Sequence, residues 1–372
     1  MRETYIKDTR RIVIKIGSRV LTAKDGLDFS IIDRIVSQIA DIKKRGIEVI
    51  IVSSGAIAAG LPRMGLERKP TSISLLQAAA SVGQTSLMRA YERAFERFSI
   101  SVGQMLLTHE DLKSRSRFIN ARNTLLSLID LGIIPIINEN DTVATAEITL
   151  SDNDNLAAQI LNLCAADLLM ILTDIEGLYD KDPRLSADAK IIPLIKNINK
   201  SIKDSAGGAS GPIGKGGMRS KVEAAEMAAV MGVPTIIAGG KVPDAITRFF
   251  AGEPIGTFFL PKAEGLTSRK HWIAYTLKAK GSITVDTGAV VALSKGGKSL
   301  LPKGIVGLSG DFYTGDSISV MGPDGAEFAR GLVNYSAKEL ARIKGLDTRE
   351  IEGILGFKYS DEVIHRDNLV LF

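Results

Sequence analysis

Between residues 11 and 260, short apolar runs of strand length alternate with segments of helical spacing, and this alternation constrains the fold more than any other feature. Arg11 to Ile16, Ile47 to Val52, Ile100 to Leu107, Gly132 to Ile137, Leu168 to Leu172 and Pro234 to Ala238 are mostly apolar. Near-continuous runs of this kind suit strands of a parallel sheet covered on both faces. Between them, Ile31, Ile32, Ile35, Val36, Ile39 and Ile42 repeat at helical spacing up to a stop at Gly46. Thr71 to Phe98, Leu156 to Ala165 and Met218 to Met231 read as further helices. The expectation is an α/β fold, a mostly parallel open sheet with helices on both faces.

From about Gly281 the texture changes. Ile283 to Val285, Ala289 to Leu293, Ile318 to Val320 and Glu327 to Val333 are β-prone runs divided by Gly- and Asp-rich turns. They predict a small β-rich, barrel-like domain. A length of 372 residues accommodates both. The expected division is residues 1–262, a linker over 263–278, and a tail domain over 279–372.

Charge separates the two parts. The chain carries a net +5, yet its last 94 residues hold 11 Lys and Arg against 12 Asp and Glu. The basic excess therefore lies with the first part, where a phosphate ligand is welcome, and not with the tail, where a nucleic-acid contact would need it. No apolar run reaches the roughly 18 residues of a membrane span. The charged first residues carry no apolar leader core, and the single cysteine, Cys164, suits a reducing cytoplasm.

The chemistry concentrates at Asn138 to Asn155. The apolar run Gly132 to Ile137 ends in Asn138, Glu139, Asn140 and Asp141, and a second polar cluster, Ser151 to Asn155, precedes a helical segment. Asn and Asp are common turn and cap residues. Two such clusters in succession, at a strand's carboxyl end and a helix's start, instead indicate a polar-ligand site. Their carboxylates would repel an anion, so they should grip an ammonium group or a metal, or hold lysines in place.

Other segments offer partners. Lys15 is a lone cation in an apolar strand, read equally well as a strand-end lysine reaching solvent or as a cation at the ligand end of the sheet. Ser53-Ser54-Gly55 opens a helix after a strand, where small residues admit a ligand to the backbone. Ser205 to Lys221 is glycine-rich and runs into a helix with Lys215, Arg219 and Lys221 at its entry, as a phosphate cradle would. It is not a Walker A loop. The three histidines are isolated, and neither a zinc-protease pattern nor a hydrolase nucleophile elbow occurs.

Val13 to Ser18, Val52 to Gly60, Asn138 to Thr145, Asp152 to Asn155, Leu172 to Asp174 and Gly216 to Lys221 together resemble the bacterial glutamate 5-kinases of the amino acid kinase superfamily, and the tail is similar to a PUA domain. The resemblance implies ATP-dependent phosphorylation of glutamate with Mg2+, the first step of proline synthesis, together with proline feedback inhibition and a homo-oligomer. It implies Lys15 and Lys221 on the phosphates, with Asp154 holding both lysines. Ser54, Asp141 and Asn153 would take glutamate. Lys15, Thr173, Asp174, Lys215, Gly216, Gly217, Met218, Arg219, Ser220 and Lys221 would take the nucleotide; none is expected to be a metal ligand. Lys215 and Arg219 stand where the family usually has hydroxyl residues, while the loop's glycines and its final lysine are kept. Two rival readings are an RNA-binding protein, since PUA domains commonly bind RNA, and a non-catalytic amino-acid sensor on a kinase fold.

Overall fold

The computed structural model describes residues 2–23, 26–144, 153–183, 185–186, 188–207, 217–261 and 279–372. The chain divides into two compact units, one holding Met1–Lys113 and Thr124–Gly265, the other Ser114–Asn123 and Leu266–Phe372. The linker expected over 263–278 lies outside the described residues.

The first unit is built on an eight-stranded sheet. In chain order its strands are β1 (Arg11–Ile16), β2 (Glu48–Val52), β3 (Val102–Leu107), β4 (Ile134–Glu139), β5 (Leu168–Thr173), β6 (Leu194–Ile195), β7 (Thr235–Gly239) and β8 (Thr257–Phe259). Across the sheet they run β3-β4-β2-β1-β5-β7-β8-β6, and every neighbouring pair is parallel except β7 with β8. Five helices matter for the site: α1 (Phe29–Lys44), α2 (Ala56–Arg63), α3 (Ile73–Glu96), α4 (Asn153–Cys164) and α5 (Met218–Val230).

The strand period of two sorts β1 between the faces. Ile12, Ile14 and Ile16 point into a core with Ile35, Val36 and Ile39 of α1 and Leu87, Tyr91 and Phe95 of α3. Val13 and Lys15 therefore face the opposite side, where α4 packs on β1. Since β1 lies between β2 and β5, Lys15 stands mid-sheet and not at an edge.

Helices α2 and α3 touch backbone to backbone. A Cβ at Gly60 would come within 1.8 Å of the Ala79 carbonyl oxygen, and one at Gly83 within 1.8 Å of the Ala56 carbonyl oxygen. Only glycine permits this approach. Gly83→Ala is expected to lower stability by about 1–3 kcal/mol through overpacking and to push the start of α2 outward. Gly353→Ala, where the added carbon meets nothing within 4 Å, is the control. Denaturant midpoints should fall for the first and hold or rise for the second.

The second unit has its own five-stranded sheet, with strands β9 (Gly281–Val285), β10 (Ile305–Gly310), β11 (Ser317–Met321), β12 (Glu327–Leu332) and β13 (Leu369–Leu371) in the order β10-β9-β11-β12-β13. It encloses a separate core that includes Ile283, Phe312, Val320 and Tyr335. Ala289 to Leu293, expected as a strand, is helical within α6 (Thr287–Gly296). The Asp286 carboxylate accepts from the Ala289 amide at 2.7 Å, and Gly297 closes the helix in the left-handed region. Two good caps outweigh the β preference of Val290 and Val291. Among the described residues, no helix is long and apolar enough to cross a membrane.

Candidate active site

The carboxyl ends of β1, β2, β4 and β5 converge on a cavity of about 430 Å³. Its walls include Lys15, Ser54, Asp141, Asn153, Thr173, Asp174 and Lys221. This is where ligands bind in open parallel sheets.

At its base lies Asp154, in the first turn of α4 and fully buried. Its two oxygens are divided between two lysines. Lys15 Nζ lies 2.5 Å from Oδ1, and Lys221 Nζ lies 2.9 Å from Oδ2. The Ser220 hydroxyl also donates to Oδ2 at 3.0 Å. Both lysines are themselves almost wholly buried. Burial alone would raise the Asp154 carboxyl, but the charges of Lys15 and Lys221 win and hold it well below the usual carboxylate range. The cluster therefore carries two positive charges and one negative, leaving a net positive charge beside the cavity.

Asn153 fixes the floor. Its side-chain NH2 donates to the Ser53 carbonyl at 2.6 Å, to Asn138 Oδ1 at 2.8 Å and to Ser54 Oγ at 3.2 Å. Asn138 in turn donates to Gln84 on α3 at 2.8 Å, and Ser53 shares a hydrogen bond with Tyr91 at 3.0 Å. Asn138 and Glu139, read as the polar end of an apolar run, lie within β4 and are buried. The strand continues through them because β3 pairs with it as far as Glu139. Gly55 immediately precedes α2 at φ 98°, with no side chain capping the helix. That start leaves amide N–H groups beside the cavity.

Asp141 lies at the other side, with 9% of its surface exposed. Its Oδ1 is buried and accepts no hydrogen bond from any described residue. Burial pushes its carboxyl up to about 6, against the opposing pull of Lys69. At the far rim the Thr173 hydroxyl donates to Asp174 at 3.0 Å, and Arg19 pairs with Asp174 at 3.1 Å. Burial would raise the Asp174 carboxyl, but the hydrogen bonds from Arg19 and Thr173 leave it lowered.

The structure thus gathers Lys15, Ser54, Asp141, Asn153, Asp154, Thr173, Asp174, Ser220 and Lys221 into one place. Gly217 precedes α5, and Met218 opens it. Arg219 is exposed and turns along its own helix to Glu223 at 3.0 Å. Lys215 and Gly216 lie outside the described residues. Sequence reading passed over Arg19, Lys69, Gln84 and Tyr91. Arg19 follows the strand-end glycine and was open to notice; the others carry no local signal, because only the packing of α3 and the loop before it brings them here.

Two buried lysines bridged by one carboxylate thus stand at the ligand end of a mostly parallel sheet. The sequence model of the Amino acid kinase family matches residues 10–239, and that of the PUA domain matches residues 281–355. Glutamate 5-kinase of Trichlorobacter lovleyi is 51% identical over 372 residues, covering 100% of this chain and 99% of that protein. Those of Geobacter sulfurreducens and Geobacter metallireducens are 51% and 52% identical over 372 residues, each covering 100% of both chains. The chain belongs to the glutamate 5-kinase family. Among solved structures, UMP kinase from Ureaplasma parvum shares 17% identity over 68% of this chain and 99% of that chain, at a TM-score of 0.47, too remote to transfer any site.

Proposed function

We infer that this protein transfers the γ-phosphoryl group of ATP to the γ-carboxylate of L-glutamate, giving L-glutamyl 5-phosphate, the first step of proline biosynthesis. The observation that carries this reading is the Lys15–Asp154–Lys221 cluster facing a cavity whose other wall holds Asp141, its Oδ1 buried and without a donor among the described residues. A carboxylate acceptor is already ionised at neutral pH and needs no general base. The barrier is the approach of one anion to another. Catalysis is then alignment plus neutralisation of phosphoryl oxygens. Lys15 and Lys221 supply that charge, and Asp154 holds both ammonium groups in place. Asp141 receives the ammonium of glutamate, with Ser54 and Asn153 beside it. Thr173, Asp174 and residues 215–221 form the nucleotide side.

Magnesium fits as an ion carried mainly by the phosphates of ATP, where it would offset their charge. Asp154 gives both oxygens to lysines and has none to spare. Among the described residues, no cluster of three or more His, Cys, Asp or Glu side chains could hold a metal ion. The family resemblance also supports a cytoplasmic homo-oligomer inhibited by proline. The acid–base balance of the tail gives no support to a strong RNA contact.

Asp141→Asn should raise the glutamate KM roughly 10–100-fold, the loss of a charge-assisted bond, with the ATP KM little changed. The pH dependence has a defined sign. Asp141 in the free protein is ionised above about 6 and protonated below, and an ammonium group favours the ionised form. Glutamate binding should therefore weaken as pH falls through about 6, and this step should vanish in Asp141→Asn. A step that persists in the variant would remove Asp141 from the acceptor site.

The reaction itself is tested by trapping the acyl phosphate with hydroxylamine, comparing glutamate, aspartate and N-acetylglutamate, each with and without proline. Hydroxamate from glutamate alone supports the reading, and its suppression by proline supports the regulation. Hydroxamate from a different acceptor overturns the substrate. No hydroxamate from a protein that binds ATP favours the sensor.

A further inference from the structure

We propose that Lys69 recognises the α-carboxylate of the acceptor, so that Lys69 and Asp141 form a two-point clamp for the head of a zwitterionic α-amino acid. The proposal rests on the glutamate reading above and adds the residue that discriminates the acceptor's head group.

Four cations line the cavity: Lys15, Arg19, Lys69 and Lys221. Three are committed, Lys15 and Lys221 to Asp154 and Arg19 to Asp174. Lys69 makes no ion pair with any described residue, Asp141 included, so the two charges stand more than 4 Å apart. Its charge nevertheless acts on Asp141. A cation and a carboxylate thus share a cavity without touching, and Asp141 Oδ1 is buried with no donor among the described residues. Opposite charges free to close on one another would be expected to pair; a gap between them matches a ligand that carries both signs on one carbon. An α-amino acid head does so, placing its ammonium on Asp141 and its carboxylate on Lys69.

The chain around Lys69 suits this role. It lies between α2 and α3, immediately before Pro70, which biases its backbone toward the extended region. Its side chain is exposed at the rim, and a flexible four-carbon stem lets the ammonium reach inward. With the head fixed at this end, only a side chain of the right length carries its terminal carboxylate to Lys15 and Lys221. Aspartate, one methylene shorter, would fall short, and N-acetylglutamate lacks the ammonium.

The test compares glutamate with its α-amide, which keeps the ammonium and the γ-carboxylate but loses the negative charge of the head. Hydroxamate formation is measured for wild type, Lys69→Gln and Lys69→Arg. Wild type should prefer glutamate over the α-amide by roughly 10–100-fold in kcat/KM, as expected for one charged contact. Lys69→Gln should bring that ratio toward unity by raising the glutamate KM alone, with kcat and the ATP KM held. Lys69→Arg should retain much of the preference. An active wild type whose preference survives Lys69→Gln, or a variant that loses both acceptors equally, overturns the role of Lys69 alone. A wild type inactive on glutamate overturns the function reading together with it.

Discussion

Asp154→Asn is expected to abolish detectable turnover and to lower stability by about 3–5 kcal/mol, the usual penalty for stranding a buried charge. Two ammonium groups, each less than a tenth exposed, share this one carboxylate. Asparagine fills the same space but cannot balance either charge, and its NH2 would oppose one of them. Lys15 sits mid-sheet and Lys221 in the first turn of α5, so neither can swing to solvent without disturbing its element. In the wild-type protein the sign is fixed by the lowered Asp154 carboxyl. The stability this cluster contributes is fully present above the ordinary aspartate value of 3.8 and is lost as pH falls below it. The variant should therefore show a flatter acid limb in its stability–pH curve. An Asp154→Asn protein as stable as wild type at neutral pH would mean that the lysines find other partners.

Lys221→Ala is expected to reduce kcat by about 100–1000-fold, comparable to removing one donor from a preorganised anion-stabilising site. Glutamate KM should move little, because the acceptor's head is held at the far wall. The protein should still fold, since Asp154 keeps Lys15 at 2.5 Å and the Ser220 hydroxyl at 3.0 Å. Single-turnover rates at saturating ATP separate the chemical step from binding. Near-normal turnover would show that Lys15 alone neutralises the transferring group.

Much of this arrangement is written locally in the chain. Strand runs and helical spacing are properties of neighbouring residues, so the parallel sheet, its helices and the polar ends of its strands can be read directly. The polar cluster at Asn138 to Asn155 is legible as a candidate ligand site because two carboxyl-rich segments in succession have little structural reason to exist. The role of Lys15 cannot be read in this way. A lysine in an apolar strand is equally at home on an edge, and only the sheet order puts β1 in the centre with Asp154 above it. Lys69 carries no periodic signal, since its meaning depends on where the loop before α3 comes to rest. Ala289 to Leu293 shows the converse: its β-branched residues point one way, but the caps at Asp286 and Gly297 decide.

In the proposed transfer the acceptor's own γ-carboxylate oxygen attacks phosphorus, with no water in between. The most direct measurement supplies glutamate labelled with oxygen-18 in that carboxylate and follows the phosphate released when the acyl phosphate cyclises by attack of its own amine on the carbonyl carbon. Cyclisation breaks the carbon–oxygen bond, so the bridging oxygen leaves with phosphorus. Glutamate-dependent phosphate carrying one labelled oxygen per molecule is the predicted result. Unlabelled phosphate released at the same rate, with neither cyclised product nor trappable acyl phosphate, would show that water is the nucleophile and would overturn this mechanism.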